Sequence, residues 1–339
     1  MKQYRVLHAP INIAGQASMI SKGQRELGIK SDVLCHNSNV LNYPCDFVLN
    51  LNEKKLSVHL YKRMKIFFYC LKNYDIFHFH FGMTLLPKHM DLYLLKMLGK
   101  KTIMHYWGSD VIQFGKIGEF SRIDKKDVAD RIAKCDDATK AKMTQWMRKH
   151  VDVTIVGDYS LLPYSPTSIV VRQAIDIQGF PFVGAEWKGG AVRIVHAPTC
   201  RALKGTDHII KAVERLKSEG YQIDFILVEN MSNQQAIEIY RSADIVVDDV
   251  VLGPYGILAI ECMAMGKPVL DFIHEKFVGH YHDLPIVNTS PEMVYENLKQ
   301  LINDPLRRES LGRQGRKYVE DNHDAVVVAR SISEIYDRL

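Results

Sequence analysis

The chain has 339 residues, 47% of them hydrophobic, with 44 Lys and Arg against 39 Asp and Glu for a net charge of +5. That length exceeds what one hydrophobic core fills and predicts two domains. The charge is too mild to argue for nucleic acid, no apolar run reaches the roughly 18 residues of a membrane span, and no signal-peptide pattern precedes the first strand, so a cytoplasmic protein is expected.

The first apolar run, Tyr4–His8, closes in His8-Ala9-Pro10, and apolar residues three and four apart then predict a helix from Gly15 to Leu27. Strand patterns follow at Ser31–Cys35, Ile76–Phe79, Lys101–His105 and Val153–Val156, with helical stretches at Ser57–Leu71, Pro87–Leu98 and Lys126–Lys149. The glycine-punctuated segment Ile175–Gly190 reads as a linker. Beyond it the chain starts again: Val192–His196 closes in His196-Ala197-Pro198, and a helix is predicted over Thr206–Leu216. Strands at Asp224–Val228, Ile245–Val247, Pro268–Phe272 and Ile286–Asn288 follow, then one or two amphipathic helices over Pro305–Leu339.

The repeated strand, His-Ala-Pro, loop and helix predict an α/β protein of two Rossmann-like βαβ domains, with ligand loops at the carboxyl ends of parallel strands facing a central cleft. The expected division is 1–175, 176–320 and a C-terminal helix, 321–339, packing back on the first domain. Cys35, Cys45, Cys70, Cys135, Cys200 and Cys262 are scattered without a Cys-x-x-Cys pair and read as reduced thiols, not as a disulfide or zinc framework.

Neither opening strand is followed by Gly-x-Gly-x-x-Gly, and no P-loop motif occurs, which argues against a nicotinamide dehydrogenase or a P-loop enzyme. The informative loop is Gly253-Pro254-Tyr255-Gly256, opening a helix that ends at Gly266. Free amides at such a helix start bind phosphate, and Glu261, five residues on, is placed to reach ribose hydroxyls. Arg201 and Lys204, in the loop after the second His-Ala-Pro, would neutralise a diphosphate. Gly15-Gln16 forms a small-residue helix start where amides can approach a ligand. His78 and His80 share a strand face, but no further ligand stands at metal spacing beside them, so no metal site is expected. Lys54, Lys55, Lys62, Arg63, Lys65 and Lys72 interleave with aromatics on one helix, which suits either an anionic membrane surface or a solvated helix with its aromatics in the core.

The stretch Gly256-Ile257-Leu258-Ala259-Ile260-Glu261-Cys262-Met263-Ala264, with Gly15-Gln16, Gly108-Ser109-Asp110 and Lys204-Gly205, resembles glycosyltransferase family 4, retaining enzymes of GT-B fold. That family's usual form is Glu-Gly-Phe-Gly-Leu, three residues, then Glu-Ala-Met-Ala. The resemblance implies transfer of a sugar from a UDP- or GDP-linked donor to a saccharide or lipid-linked acceptor hydroxyl with retention, without metal or other cofactor, in cell-envelope polysaccharide or glycoconjugate synthesis. It implies His105, Asp110 and Lys204 as catalytic, and Gly15, Gln16, Arg201, Lys204, Gly256, Ile257, Leu258 and Glu261 as donor-binding. The chain departs from the pattern at Gly253, where the family has its first glutamate, and at Trp107, where a histidine commonly precedes the glycine. These departures leave two alternatives open, a non-catalytic sugar-nucleotide-binding relative and a nucleotide-sugar epimerase.

Overall fold

The computed structural model describes residues 4–38, 43–51, 56–124, 126, 128–134, 136–185 and 189–339, the side chain of Arg131 aside. Lys54, Lys55 and Cys135 lie outside the described residues. In chain order the elements are β1 (Arg5–Ala9), α1 (Gln16–Glu26), β2 (Lys30–Cys35), β3 (Phe47–Val48), α2 (Leu56–Asn73), β4 (Ile76–His80), α3 (Met90–Met97), β5 (Lys101–Tyr106), α4 (Ala129–Lys134), α5 (Asp137–His150), β6 (Val153–Val156) and β7 (Ile169–Val170). There follow β8 (Val192–His196), α6 (Arg201–Lys204), α7 (Thr206–Ser218), β9 (Ile223–Leu227), α8 (Asn233–Ser242), β10 (Ile245–Val247), α9 (Ile257–Ala264), β11 (Val269–Asp271), α10 (Glu275–Val278), β12 (Val287–Asn288), α11 (Val294–Asn303), α12 (Pro305–Asn322) and α13 (Ala325–Asp337).

The chain forms two compact units. Unit 1 comprises Met1–Gln113, Asp137–Ile175 and Asp324–Leu339, and unit 2 comprises Phe114–Asp136 and Asp176–His323. Residues 114–136, read from sequence as part of the first domain, therefore group with unit 2. The single helix expected over Lys126–Lys149 is two, α4 and α5, and they fall in different units. Asp137 sits in the first turn of α5, where a carboxylate favours a helix start.

Unit 1 is a seven-stranded sheet in the order β3-β2-β1-β4-β5-β6-β7, and unit 2 a five-stranded sheet in the order β12-β11-β10-β8-β9. All described pairings are parallel. In unit 1, α13 packs on α1, and Val328, Ile332, Ile335 and Tyr336 enter the same core as Val6, Ile20 and Ile103. Two glycines let helices approach. A Cβ on Gly23 of α1 would overlap the Ala325 carbonyl, and in unit 2 a Cβ on Gly312 of α12 would overlap the Gly266 carbonyl.

Cys35 and Cys45 are joined by a disulfide, which corrects the reading of both as reduced thiols. The chain leaves β2 at Cys35 and returns beside it to enter β3, so ten residues of separation close into contact. Cys70 and Cys262 are buried free thiols, as expected.

Candidate functional site

In unit 2 the β8–α6 turn, the end of β10 and the start of α9 bring together most of the residues singled out by sequence. Lys204 closes α6, where Gly205 adopts the left-handed conformation (φ +68°) that ends one helix and opens the next. The Lys204 Nζ donates to Asp248 Oδ1 at 2.6 Å and lies 3.7 Å from Asp249 Oδ2. Both aspartates stand at the end of β10 and are fully buried, as is Asp271 at the end of β11. Burial alone would push the Lys204 ammonium down, but the charges of Asp248, Asp249 and Asp271 outweigh it and hold the ammonium above its ordinary value. Burial pushes Asp249 up to about 6, and burial together with the two neighbouring aspartates pushes Asp271 well above the carboxylate range.

Gly256 caps α9 with extended backbone and no side-chain cap, so the first-turn amides of Ile257 and Leu258 are open to an outside acceptor. A Cβ on Gly256 would stand 3.5 Å from Asp248 Oδ2 and 3.9 Å from Lys204 Nζ, which fixes how closely these groups converge. Glu261 lies one turn into α9, and burial, then the charge of Asp248, push its carboxyl up to about 8. Arg201 does not join this group: its guanidinium is exposed and pairs with Glu229 through Nε at 2.8 Å and a terminal nitrogen at 2.5 Å.

Gly253 has φ +43°, and a Cβ there would stand 2.6 Å from the Phe272 carbonyl oxygen. This backbone leaves no room for a glutamate. Of the two aspartates at the end of β10, Asp249 caps the turn by accepting from the amides of Val251 and Leu252, while Asp248 Oδ2 faces Gly256.

In unit 1, Gly15 (φ +73°) opens α1 with the Tyr43 ring 2.8 Å from where its Cβ would be. Gln16 is buried, and its amide accepts from the Ala174 N–H at 2.8 Å and donates to the Ala174 carbonyl at 3.0 Å. Asp110 accepts from the backbone amides of Trp107 and Gly108, and burial pushes its carboxyl up to about 6.

His105 belongs to a group that sequence spacing did not reveal. The register of β1, β4 and β5 sets His8 opposite His78 and His80 opposite His105, all fully buried. The Trp107 indole can only donate, and it gives its proton to His80 Nδ1 at 3.1 Å. His80 must then donate from Nε2 to His8 Nδ1 (3.0 Å), and His8 from Nε2 to the Gln24 carbonyl oxygen (2.9 Å). The Gln24 amide faces the Tyr336 hydroxyl (3.4 Å), which meets His78 Nδ1 at 2.5 Å, and His78 Nε2 meets His105 Nδ1 at 3.2 Å. With Tyr336 donating to His78 and His78 to His105, every proton but one has an acceptor. The chain ends at His105 Nε2, which has no partner among the described residues. The ring of His105 stacks on Trp107 with centroids 3.8 Å apart, returning the chain to its origin. Burial holds His8 down at about 4, and holds His78, His80 and His105 well below the ordinary imidazole value. The ligand atoms of His8, His78 and His80 lie within 4.8 Å of one another, but each Nδ1 lone pair in this arrangement already accepts a proton, so a metal would have to break the chain.

The whole chain is similar in fold to sucrose-phosphate synthase from Thermosynechococcus elongatus (15% identity, TM-score 0.68, 99% of each chain covered). It is also similar to Anabaena HepE in complex with UDP-glucose (12%, 0.64, covering 99% of this chain and 100% of that one). The catalytic domain of Arabidopsis thaliana starch synthase IV, bound to ADP and acarbose, is similar as well (11%, 0.64, 99% of each). These likenesses define a GT-B fold built of two Rossmann-like units. Residues 211–318, within unit 2, match the family model of glycosyl transferases group 1. No curated protein matches the chain.

Proposed function

We propose that the chain is a retaining glycosyltransferase of family 4 type, moving a sugar from a nucleotide-diphosphate donor, UDP- or GDP-linked, to a saccharide or lipid-linked acceptor in cell-envelope glycoconjugate synthesis. The observation that carries this reading is the convergence of Lys204 Nζ with the uncapped start of α9 at Gly256, a cation and open amides at the carboxyl edge of a parallel sheet. On this reading the diphosphate lies on the amides of Ile257 and Leu258 and competes with Asp248 for Lys204. Glu261, protonated at neutral pH, offers both a donor and an acceptor to the ribose diol. The leaving phosphate oxygen, stabilised by Lys204, accepts the proton of the attacking hydroxyl on the same face of the sugar, and no metal takes part. Gly15 and Asp110 shape loop ends of unit 1, and His105 Nε2 is one of the buried polar atoms of unit 1 that has no partner among the described residues.

Gly253 and the Lys204–Asp248 pair favour a second reading, a sugar-nucleotide binder that turns over weakly. The two are separated by incubating the protein with a panel of nucleotide sugars, with and without envelope-derived acceptors, and following release of nucleoside diphosphate and the anomeric configuration of the product by NMR. A transferase gives acceptor-dependent release with a retained product; a binder gives calorimetric affinity without release. Within either reading, Lys204→Ala should weaken nucleotide-diphosphate binding by about 1.5–3 kcal/mol. Asp248→Asn should strengthen it, and unchanged affinity in both variants, with native circular dichroism, would remove Lys204 from the site.

A further inference from the structure

The outward surface of α2, α3 and α5 in unit 1 has the wrong chemistry for a face that meets only water. The crossovers β3–β4, β4–β5 and β5–β6 all run the same way across the sheet, so right-handed connection puts their helices on one side, opposite α1. Contacts agree: Arg63 of α2 donates to the carbonyls of Thr84 and Leu85 just ahead of α3, and Tyr93 of α3 packs on Trp146 and His150 of α5. An exposed helix face is normally polar and of mixed charge. On α2 the exposed positions include Leu56 (80% exposed), Leu60, Tyr61 (65%), Phe68 and Tyr69, interrupted by Lys65 and Lys72. On α3 they are Met90, Tyr93, Lys96 and Met97 (81%). On α5 they include Lys142, Met143, Arg148 and Lys149.

Charge is just as one-sided. The three helices hold nine Lys and Arg but only two acidic residues, Asp91 and Asp137. Asp91 is fully buried, accepting from Thr84 and Leu86. This surplus exceeds the net +5 of the entire chain, so the remainder is slightly acidic.

We infer that this three-helix face docks on an anionic lipid bilayer. Exposed Leu, Met, Tyr and Phe side chains enter the boundary between headgroups and acyl chains, while lysines and arginines meet the headgroup charge. A nucleic acid would satisfy the basic residues but has nothing to receive the aliphatic ones, and a second copy of this face would set like charges against each other. No helix among the described residues is long and apolar enough to cross a membrane, so the contact lies on the surface. The inference deepens the lipid-linked acceptor reading above. Its test needs neither donor nor acceptor and so fails or holds separately.

The full chain is sedimented with vesicles of phosphatidylcholine alone and of phosphatidylcholine with phosphatidylglycerol. Binding is expected to the mixed vesicles, at least about tenfold stronger than to the neutral ones and weakened by salt. Lys65→Gln with Lys72→Gln should reduce it about thirtyfold, two basic charges at about 1 kcal/mol each. Tyr61→Ser with Phe68→Ser should reduce it about tenfold or more, with circular dichroism and nucleotide affinity unchanged in both double variants. No binding, equal binding to both vesicle types, or binding untouched by either variant overturns the inference. So does a concentration-dependent dimer that the α2 variants dissolve in the absence of vesicle binding, which would assign the face to a second copy, and so does capture by a polyanion such as heparin without vesicle binding.

Discussion

Both units open with a strand ending in His-Ala-Pro and continue into a helix that begins at a left-handed glycine, Gly15 in one and Gly205 in the other. What surrounds the two histidines differs completely. His196 is satisfied locally, by the Val247 carbonyl and the Thr206 hydroxyl, both at 2.8 Å. His8 is one link in a chain of imidazoles that crosses three strands and reaches α13. Next to His196, unit 2 buries carboxylates around an ammonium; next to His8, unit 1 buries bases that stay neutral. The same backbone opening thus serves two electrostatic interiors of opposite kind, and acid should tell them apart.

That contrast gives the largest expected effect. A histidine whose folded value is depressed binds fewer protons when folded, so its contribution is present above the unfolded value near 6.5 and is lost as pH falls toward the folded value. Unit 1 has five such buried histidines, His8 and His36 at about 4 and His78, His80 and His105 well below the ordinary value, so it should lose stability as pH falls from 6.5 to 5.5, about 1 kcal/mol for each of the two at about 4. Asp110, at about 6, offsets part of this. In unit 2 the sign reverses for Glu261 at about 8 and Asp249 at about 6: a raised carboxyl holds its proton when folded, so acidification stabilises, against the depressed imidazoles of His196 and His274. Hydrogen exchange followed peptide by peptide from pH 7 to 5 should show unit 1 opening first. Simultaneous opening would refute the electrostatic distinction.

The two close helix contacts come next. Gly23→Ala and Gly312→Ala each force a methyl group into a backbone carbonyl, and the cost, about 2–3 kcal/mol net, should exceed the roughly 1 kcal/mol that alanine gains in a helix. Differential scanning calorimetry should resolve which unit each variant loosens: Gly23→Ala the first, Gly312→Ala the second.

Tyr336→Phe cuts the imidazole chain at its middle, leaving the Gln24 amide and His78 Nδ1 without partners, and should cost about 2 kcal/mol in denaturant melts. The informative readout is 15N NMR of the histidine rings. The tautomers of His80 and His8, set from Trp107, should persist, while those of His78 and His105 should change; four unchanged rings would mean the chain is not directional.

The smallest effect belongs to the exposed pair of unit 2. Glu229→Gln removes the charge that faces Arg201 and should leave both stability and nucleotide affinity nearly unchanged. A large gain of affinity would bring Arg201 back to the phosphates.

The sequence made visible what is local. Strand periods, the glycine that opens α9 and the placement of Glu261 within it depend on near neighbours and read correctly, whereas the helix expected over Lys126–Lys149 is two, α4 and α5. Pairings across the sheet do not have that property. Lys204 and Asp248 are 44 residues apart, and His8 and His80 are 72 apart. Only the parallel register tells which strand ends meet. His78 and His80 were seen as a pair because they share one strand, whereas His8 and His105 enter from β1 and β5. Gly253 shows the converse: the missing glutamate was plain in the sequence, but that the backbone excludes one depends on Phe272, nineteen positions away. The disulfide was missed because cysteine spacing carries no record of the chain turning back beside β2.

The return of α13 to unit 1 also bears on how the protein is made. Unit 1 is interrupted by the whole of unit 2, and its core needs Val328, Ile332 and Tyr336 against Ile20 and Ile103. During synthesis, domains generally fold as units, the N-terminal one first. Here that order is reversed, since the ribosome must deliver residues 324–339 before the first unit can close, while unit 2 is already complete. The first half of the nascent chain waits with one side of its sheet covered by α1 without α13, a condition in which a holding chaperone has apolar surface to bind.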